Sequence, residues 1–268
     1  MRAEVAVRTL RSAGRAIGWW ALGLVGMVAM LVAVYPTVRD NPVLNRLVEQ
    51  YPEALRAFLG FGGEIDYVSA AGYLGIELFS FMVPLLLLIA AIGAGARGVA
   101  GEEEGGTLEL VLACPVSRRR FVLEKLAALV VEVALLGAVL LAALWIGAKA
   151  VSMDISLWHL TAATLSAVVL AVAYGALALA VGAATGRRSL SLAVVAAAAV
   201  AAYLVASLAP LVHALDPAKL ASPFYHYSAA DPLRHGLAAD HLLLLVAIAA
   251  VAAVAAVLLA ERRDLGVG

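Results

Sequence analysis

The sequence predicts an all-α, polytopic membrane protein with six transmembrane helices, and three observations predict it. Hydrophobic residues make up 64% of the 268 positions and charged residues 14%, with a mean hydropathy of +0.99, far from the composition of a soluble globular chain. Six apolar runs reach about 20 residues, the length that crosses a bilayer as a helix. When the runs are threaded alternately through a membrane, thirteen of the 19 Lys and Arg fall on one side. The positive-inside rule makes that side cytoplasmic, together with the N and C termini.

Charge and cysteine content exclude other classes. Nineteen basic and nineteen acidic residues cancel, so no net charge points to nucleic acid. The single cysteine, Cys114, rules out an intrachain disulfide and any paired-cysteine zinc spacing.

In chain order, residues 1–15 place Arg8, Arg11 and Arg15 on one helical face and Val7 and Leu10 on another. Two readings stand: an N-terminal interfacial helix, or a basic flank that fixes orientation. Residues 16–35 form the first span. Its apolar run is longer than a signal-peptide core and no small-residue cleavage site follows, so it reads as an uncleaved anchor. Residues 37–71, punctuated by Pro42 and Pro52, form an external surface segment. The second span covers 72–96, with Pro84 set to kink it. Residues 97–125 are a strongly charged cytoplasmic loop. The third, fourth and fifth spans cover 121–148, 160–185 and 190–211, with a tight basic turn at 186–189. Residues 212–240 are external and re-entrant-like, because Pro217, Pro223 and Pro232 forbid one continuous helix. The sixth span covers 241–260. Alanine and glycine dominate spans four to six, which suits close packing of helices in lipid, although a high-GC genome would also encode much alanine.

Few residues carry candidate chemistry. Residues 182–189 superficially resemble a phosphate loop, but the glycine spacing is wrong and no lysine follows, so the chain has no ATPase motif of its own. The five histidines fall on the external side without metal-ligand spacing, and no metal site is expected. Glu132 lies seven residues past Lys125, about 10 Å along its helix, a depth at which a carboxylate faces protein or a wet cavity. It either lines a transport path or makes a structural hydrogen bond to a group such as Thr164, Ser166 or Tyr174. In the charged loop an acidic triplet, Glu102–Glu104, precedes Gly105 and Gly106, and a short amphipathic helix over residues 107–113 follows. Thr107 is its N-cap, with Leu108, Val111 and Leu112 on one face. Pro115 and the basic triplet 118–120 close the loop.

The run from Glu104 through Gly106-Thr107-Leu108-Glu109-Leu110-Val111-Leu112 to Pro115-Val116-Ser117-Arg118 resembles the E-x-G-T-L-E-L-L-L-x-x-P-V-S-R signature of ABC-2 type transporter permeases. Residues 222–227 with Asp231-Pro232-Leu233 resemble a second run found before the last helix of such permeases. The resemblance implies a membrane-spanning permease subunit of an ATP-binding cassette exporter in the cell (cytoplasmic) membrane. Its substrate, from the apolar spans, would be apolar or amphipathic. The chain would bind no cofactor, and ATP with Mg would be hydrolysed by a separate ABC ATP-binding subunit, two copies per complex. The other partners implied are a second permease chain, in a homo- or heterodimer, and membrane lipid. In that picture residues 107–113 are the coupling helix that docks on the ATPase, with Glu104 and above all Glu109 as its polar contacts and Glu102 as a solvated bystander. Two readings compete with it: a membrane-embedded lipid-modifying enzyme and a secondary transporter. The enzyme would need polar residues clustered at one depth, where only scattered ones occur, and the secondary transporter more charged or broken helices at the midplane than Glu132 and Pro84 provide.

Overall fold

The computed structural model describes residues 4–41, 43, 50, 52, 66–106 and 117–263, and among these the chain is helical with no strand. Six helices are long and apolar enough to cross a membrane, which makes this a multi-pass membrane protein. We number these helices as spans 1 to 6: Glu4–Arg39, Ala70–Glu104, Arg118–Ala150, Leu157–Thr185, Arg188–Leu208 and Ala239–Arg262.

Span 1 is a single helix of 36 residues that takes in the basic stretch 4–15 without a break. At 1.5 Å per residue it is about 54 Å long, well beyond a hydrocarbon core of about 30 Å, so an end projects from the bilayer. Arg8, Arg11 and Arg15 are exposed along the first turns, whereas Leu24, Val28, Val32 and Tyr35 form the stripe that packs on span 3.

Span 2 is the irregular one. It opens at Ser69, whose side chain accepts from the Gly72 amide, and passes through a π turn at Gly75–Phe79. It bends at Phe81, where φ is −140° and ψ −51°, and resumes as Met82–Ala96. The bend lies three residues before Pro84, whose missing amide leaves the preceding turn one donor short. A second π turn, Arg97–Gly101, then carries the helix on to Glu104. The charged stretch expected to leave the helix at residue 97 therefore stays helical for eight more residues.

Span 4 is the hub. It packs against spans 2, 3, 5 and 6, and 67% of its most apolar window is buried, against 17% for spans 1, 5 and 6. Small residues make this possible. A β-carbon on Gly95 of span 2 would overlap the Gly175 carbonyl of span 4, so the two backbones meet at a pair of glycines. Ser191 of span 5 donates to the Ala178 carbonyl at 2.6 Å. Of spans 4 to 6, span 4 alone has most of its apolar window buried within the chain. Ala196–Ala198 of span 5 point outward, whereas Ala252, Ala256 and Ala260 of span 6 form a buried stripe on its inner face.

Four short helical pieces connect spans 5 and 6: His213–Leu215, Asp216–Lys219, Pro223–Ser228 and Pro232–His235. The last three each hold a proline in the first turn, where its fixed φ suits helix entry and its missing amide costs nothing. Residues 209–238 lie at the opposite end of the bundle from the acidic triplet.

Candidate functional site at the charged face

Residues 107–116 fall outside the described part of the chain, and with them Thr107, Leu108, Glu109, Val111 and Leu112. Both flanks are described. The leading flank is the end of span 2; the trailing flank starts at Ser117, whose side chain accepts from the Arg120 amide and caps span 3.

The acidic triplet is a junction. Glu102 Oε1 lies 2.6 Å from Lys125 Nζ, and the lysine side chain is only 5% exposed. Lys125 also donates to Thr9 Oγ1 of span 1 at 3.1 Å and sits over the Phe121 ring. Glu103 takes both terminal nitrogens of Arg263, just past span 6, in a two-pronged pair. The Arg263 carbonyl in turn accepts from Arg118 Nη1 at 2.8 Å. Glu104 Oε1 accepts from the Arg188 amide at 2.8 Å, placing a carboxylate on the first turn of span 5, where free amides and the helix dipole favour it.

A fourth carboxylate repeats the device. Glu124 of span 3 accepts from the Val5 and Ala6 amides at 2.8 and 3.2 Å and from Arg120 Nε at 2.8 Å, so it caps span 1 from outside. Between spans 4 and 5 the chain turns at Gly186 with φ +65°. A β-carbon there would overlap the Arg263 guanidinium, so both the backbone and the packing call for glycine. Five spans meet through side-chain hydrogen bonds here, and span 4 joins through Gly186 and the Ala183 carbonyl, which accepts a long bond from Arg263.

Glu102, expected as a solvated bystander, thus holds the most buried cation of the face. The sequence carries the residues but not their pairing, because the partners lie 23 to 160 positions away. Glu132 is 4% exposed, and its nearest charge is Arg97, with Nη2 4.0 Å from Oε1. The candidate partners in span 4 are engaged elsewhere or unpaired. Ser166 donates to the Ala162 carbonyl, Tyr174 packs on Phe224, and Thr164 Oγ1 has no hydrogen-bond partner among the described residues.

The opposite face is tied differently. Tyr227 OH donates to the Phe79 carbonyl at 2.6 Å, at the bend of span 2, and Ser222 Oγ donates to the Ala202 carbonyl of span 5 at 2.8 Å. Burial pushes the Tyr227 hydroxyl well above the usual phenol range, so it stays a donor. The rings of Phe81, Tyr203, Phe224 and Tyr174 form a run of tilted and edge-on contacts on this face. Among the described residues no three His, Cys, Asp or Glu converge as a metal site would require.

A family model described as multidrug efflux system permease Rv1217c, C-terminal domain, matches residues 6–259, nearly the whole chain and all six spans. The chain belongs to this multidrug efflux permease family. No curated protein matches it. In the permease, the junction at the charged face and the bend of span 2 are therefore parts of an efflux-permease fold.

Proposed function

We propose that the chain is the membrane-spanning subunit of an ABC-2 type exporter in the cytoplasmic membrane, with the charged face toward the cytosol. Two such chains, identical or not, pair with two copies of a separate ATPase, which supplies ATP hydrolysis with Mg. The cargo is apolar or amphipathic. The observation that carries this reading is the wiring of the two flanks of residues 107–113: a push on that segment meets, within a few residues on either side, contacts to every span. Residues 107–113 act as the coupling helix. Leu108, Val111 and Leu112 form its apolar anchor, Thr107 its cap and Glu109 its charged contact, while Glu104 is engaged with span 5. Glu132, paired loosely with a half-exposed Arg97 at membrane depth, faces the transport path.

Co-purification with the ATPase tests this. Tagged permease extracted in mild detergent should retain a Walker-motif ATPase at one copy per permease chain. Leu108→Ser combined with Val111→Ser should abolish that retention. Glu109→Ala should weaken it or uncouple hydrolysis from transport, since truncating one member of a desolvated pair costs roughly 2–5 kcal/mol. Wild-type complex yield and wild-type ATPase activity in both variants would remove residues 107–113 as the docking element.

A further inference from the structure

His226 of the Pro223–Ser228 helix and His241 of the first turn of span 6 lie with their Nδ1 atoms 2.9 Å apart. The surroundings fix the proton between them. His226 Nε2 is 2.8 Å from the Leu220 carbonyl, which can only accept, so this nitrogen carries a hydrogen. In a neutral pair His226 Nδ1 must then be the acceptor, and His241 must present Nδ1–H to it.

Addition of one proton leaves the contact intact. A charged His226 donates from both nitrogens, to Leu220 and to His241, and His241 shifts its own hydrogen to Nε2, which lies 4.0 Å from the Asp240 carboxylate. A second proton cannot be accommodated. Two N–H groups would then point at each other across 2.9 Å, each on a cation. Around the pair stand Tyr225, edge-on to both rings, and Lys219, which sits over the Tyr225 ring and is itself bonded to Asp216. Asp240 is the anion near the rings, and its side chain is 82% exposed, so it screens a doubly charged pair weakly.

We propose that His226 and His241 form a proton-operated latch, which holds the Pro223–Ser228 helix to span 6 with no proton or one proton added and releases it when both rings are charged. What the latch holds gives it reach. The same short helix carries Tyr227, bonded to the bend of span 2, and follows directly on Ser222, bonded to span 5. Release on acidification therefore loosens spans 2 and 5 from span 6 on this face. The inference rests on the geometry of the pair and is independent of the ATPase.

Two measurements on the full-length purified chain test it. With ¹⁵N-histidine labelling, the neutral tautomers should be Nε2–H for His226 and Nδ1–H for His241. Hydrogen exchange of the 222–229 amides, corrected for intrinsic rates, should rise about tenfold as the second proton binds, the loss of one net hydrogen bond. His241→Asn places an amide where Nδ1 was; it can donate or accept but not ionise, so exchange should stay slow and independent of pH. His241→Ala should exchange fast throughout. The latch is overturned if His241 proves to be the Nε2–H tautomer when neutral, if exchange in the unmodified chain does not respond to pH, or if His241→Asn responds as the unmodified chain does.

Discussion

The two ends of the helix bundle are fastened by different chemistry. At the charged face, four carboxylates and the Arg and Lys chains they meet join helix ends that are far apart in sequence. At the other face, single hydroxyls meet single backbone carbonyls, and aromatic rings fill the space between. Long charged side chains have reach, and one carboxylate accepts several donors, as Glu124 does with two amides and a guanidinium. Such a junction can follow helices that slide by an ångström or two. A hydroxyl on a carbonyl is short, directional and one-to-one, so it registers the backbone in one place. The comparison teaches that the bundle has a compliant end and an indexed end.

Glu102→Ala is the strongest way to break that picture. It leaves the buried ammonium of Lys125 without its carboxylate, which should cost roughly 3 kcal/mol and lower the melting temperature in detergent markedly, with Lys125→Met in the same chain restoring most of the loss. If Glu102→Ala melts as the parent does, the ion pairs at this face are ornamental to stability. Tyr227→Phe comes next. It keeps the ring and removes the donor from the Phe79 carbonyl beside the Pro84 bend, for about 1–2 kcal/mol, and should speed hydrogen exchange around residues 79–84 more than elsewhere. A uniform effect along span 2 would mean that the bond does not index the bend. The smallest effect should come from Lys219→Ala. It and its carboxylate partner Asp216 are both partly exposed, and pairs of that kind contribute little, so melting should not change measurably. A clear loss there would show that the indexed end also depends on charge.

The six spans were legible because hydropathy integrates over some 20 residues and forgives local detail. Their ends were legible within a few residues where a cap or a turn glycine marked them, as at Ser117 and Gly186. The continuation of span 2 to Glu104 was not. Arg97 and three glutamates read as a solvated loop when their partners are unknown, and Lys125, Arg188 and Arg263 become partners only once spans 3, 5 and 6 have packed. Glu132 lies buried, and its nearest charge, Arg97, is in the preceding span, where the sequence alone reads as loop. The His226 and His241 contact was invisible for a similar reason: fifteen residues and a helix break separate them, and no periodicity relates the two. Pro84 announces a helix one donor short, but nothing local says that a Tyr227 hydroxyl comes to the neighbouring Phe79 carbonyl.

The π turn at Arg97–Gly101 has a consequence for how this chain tolerates changes in length. Such a turn holds one residue more than a regular helix needs, looped out without disturbing the register on either side. Loss of a residue inside it would let the helix close into ordinary α geometry, with the triplet still aimed at Lys125, Arg263 and Arg188. Loss of a residue from Met82–Ala96 instead would swing Glu102–Glu104 by about 100° about the axis and part all three contacts at once. Within a few residues of each other, span 2 thus has a place where a single-codon deletion is absorbed and a place where it is not.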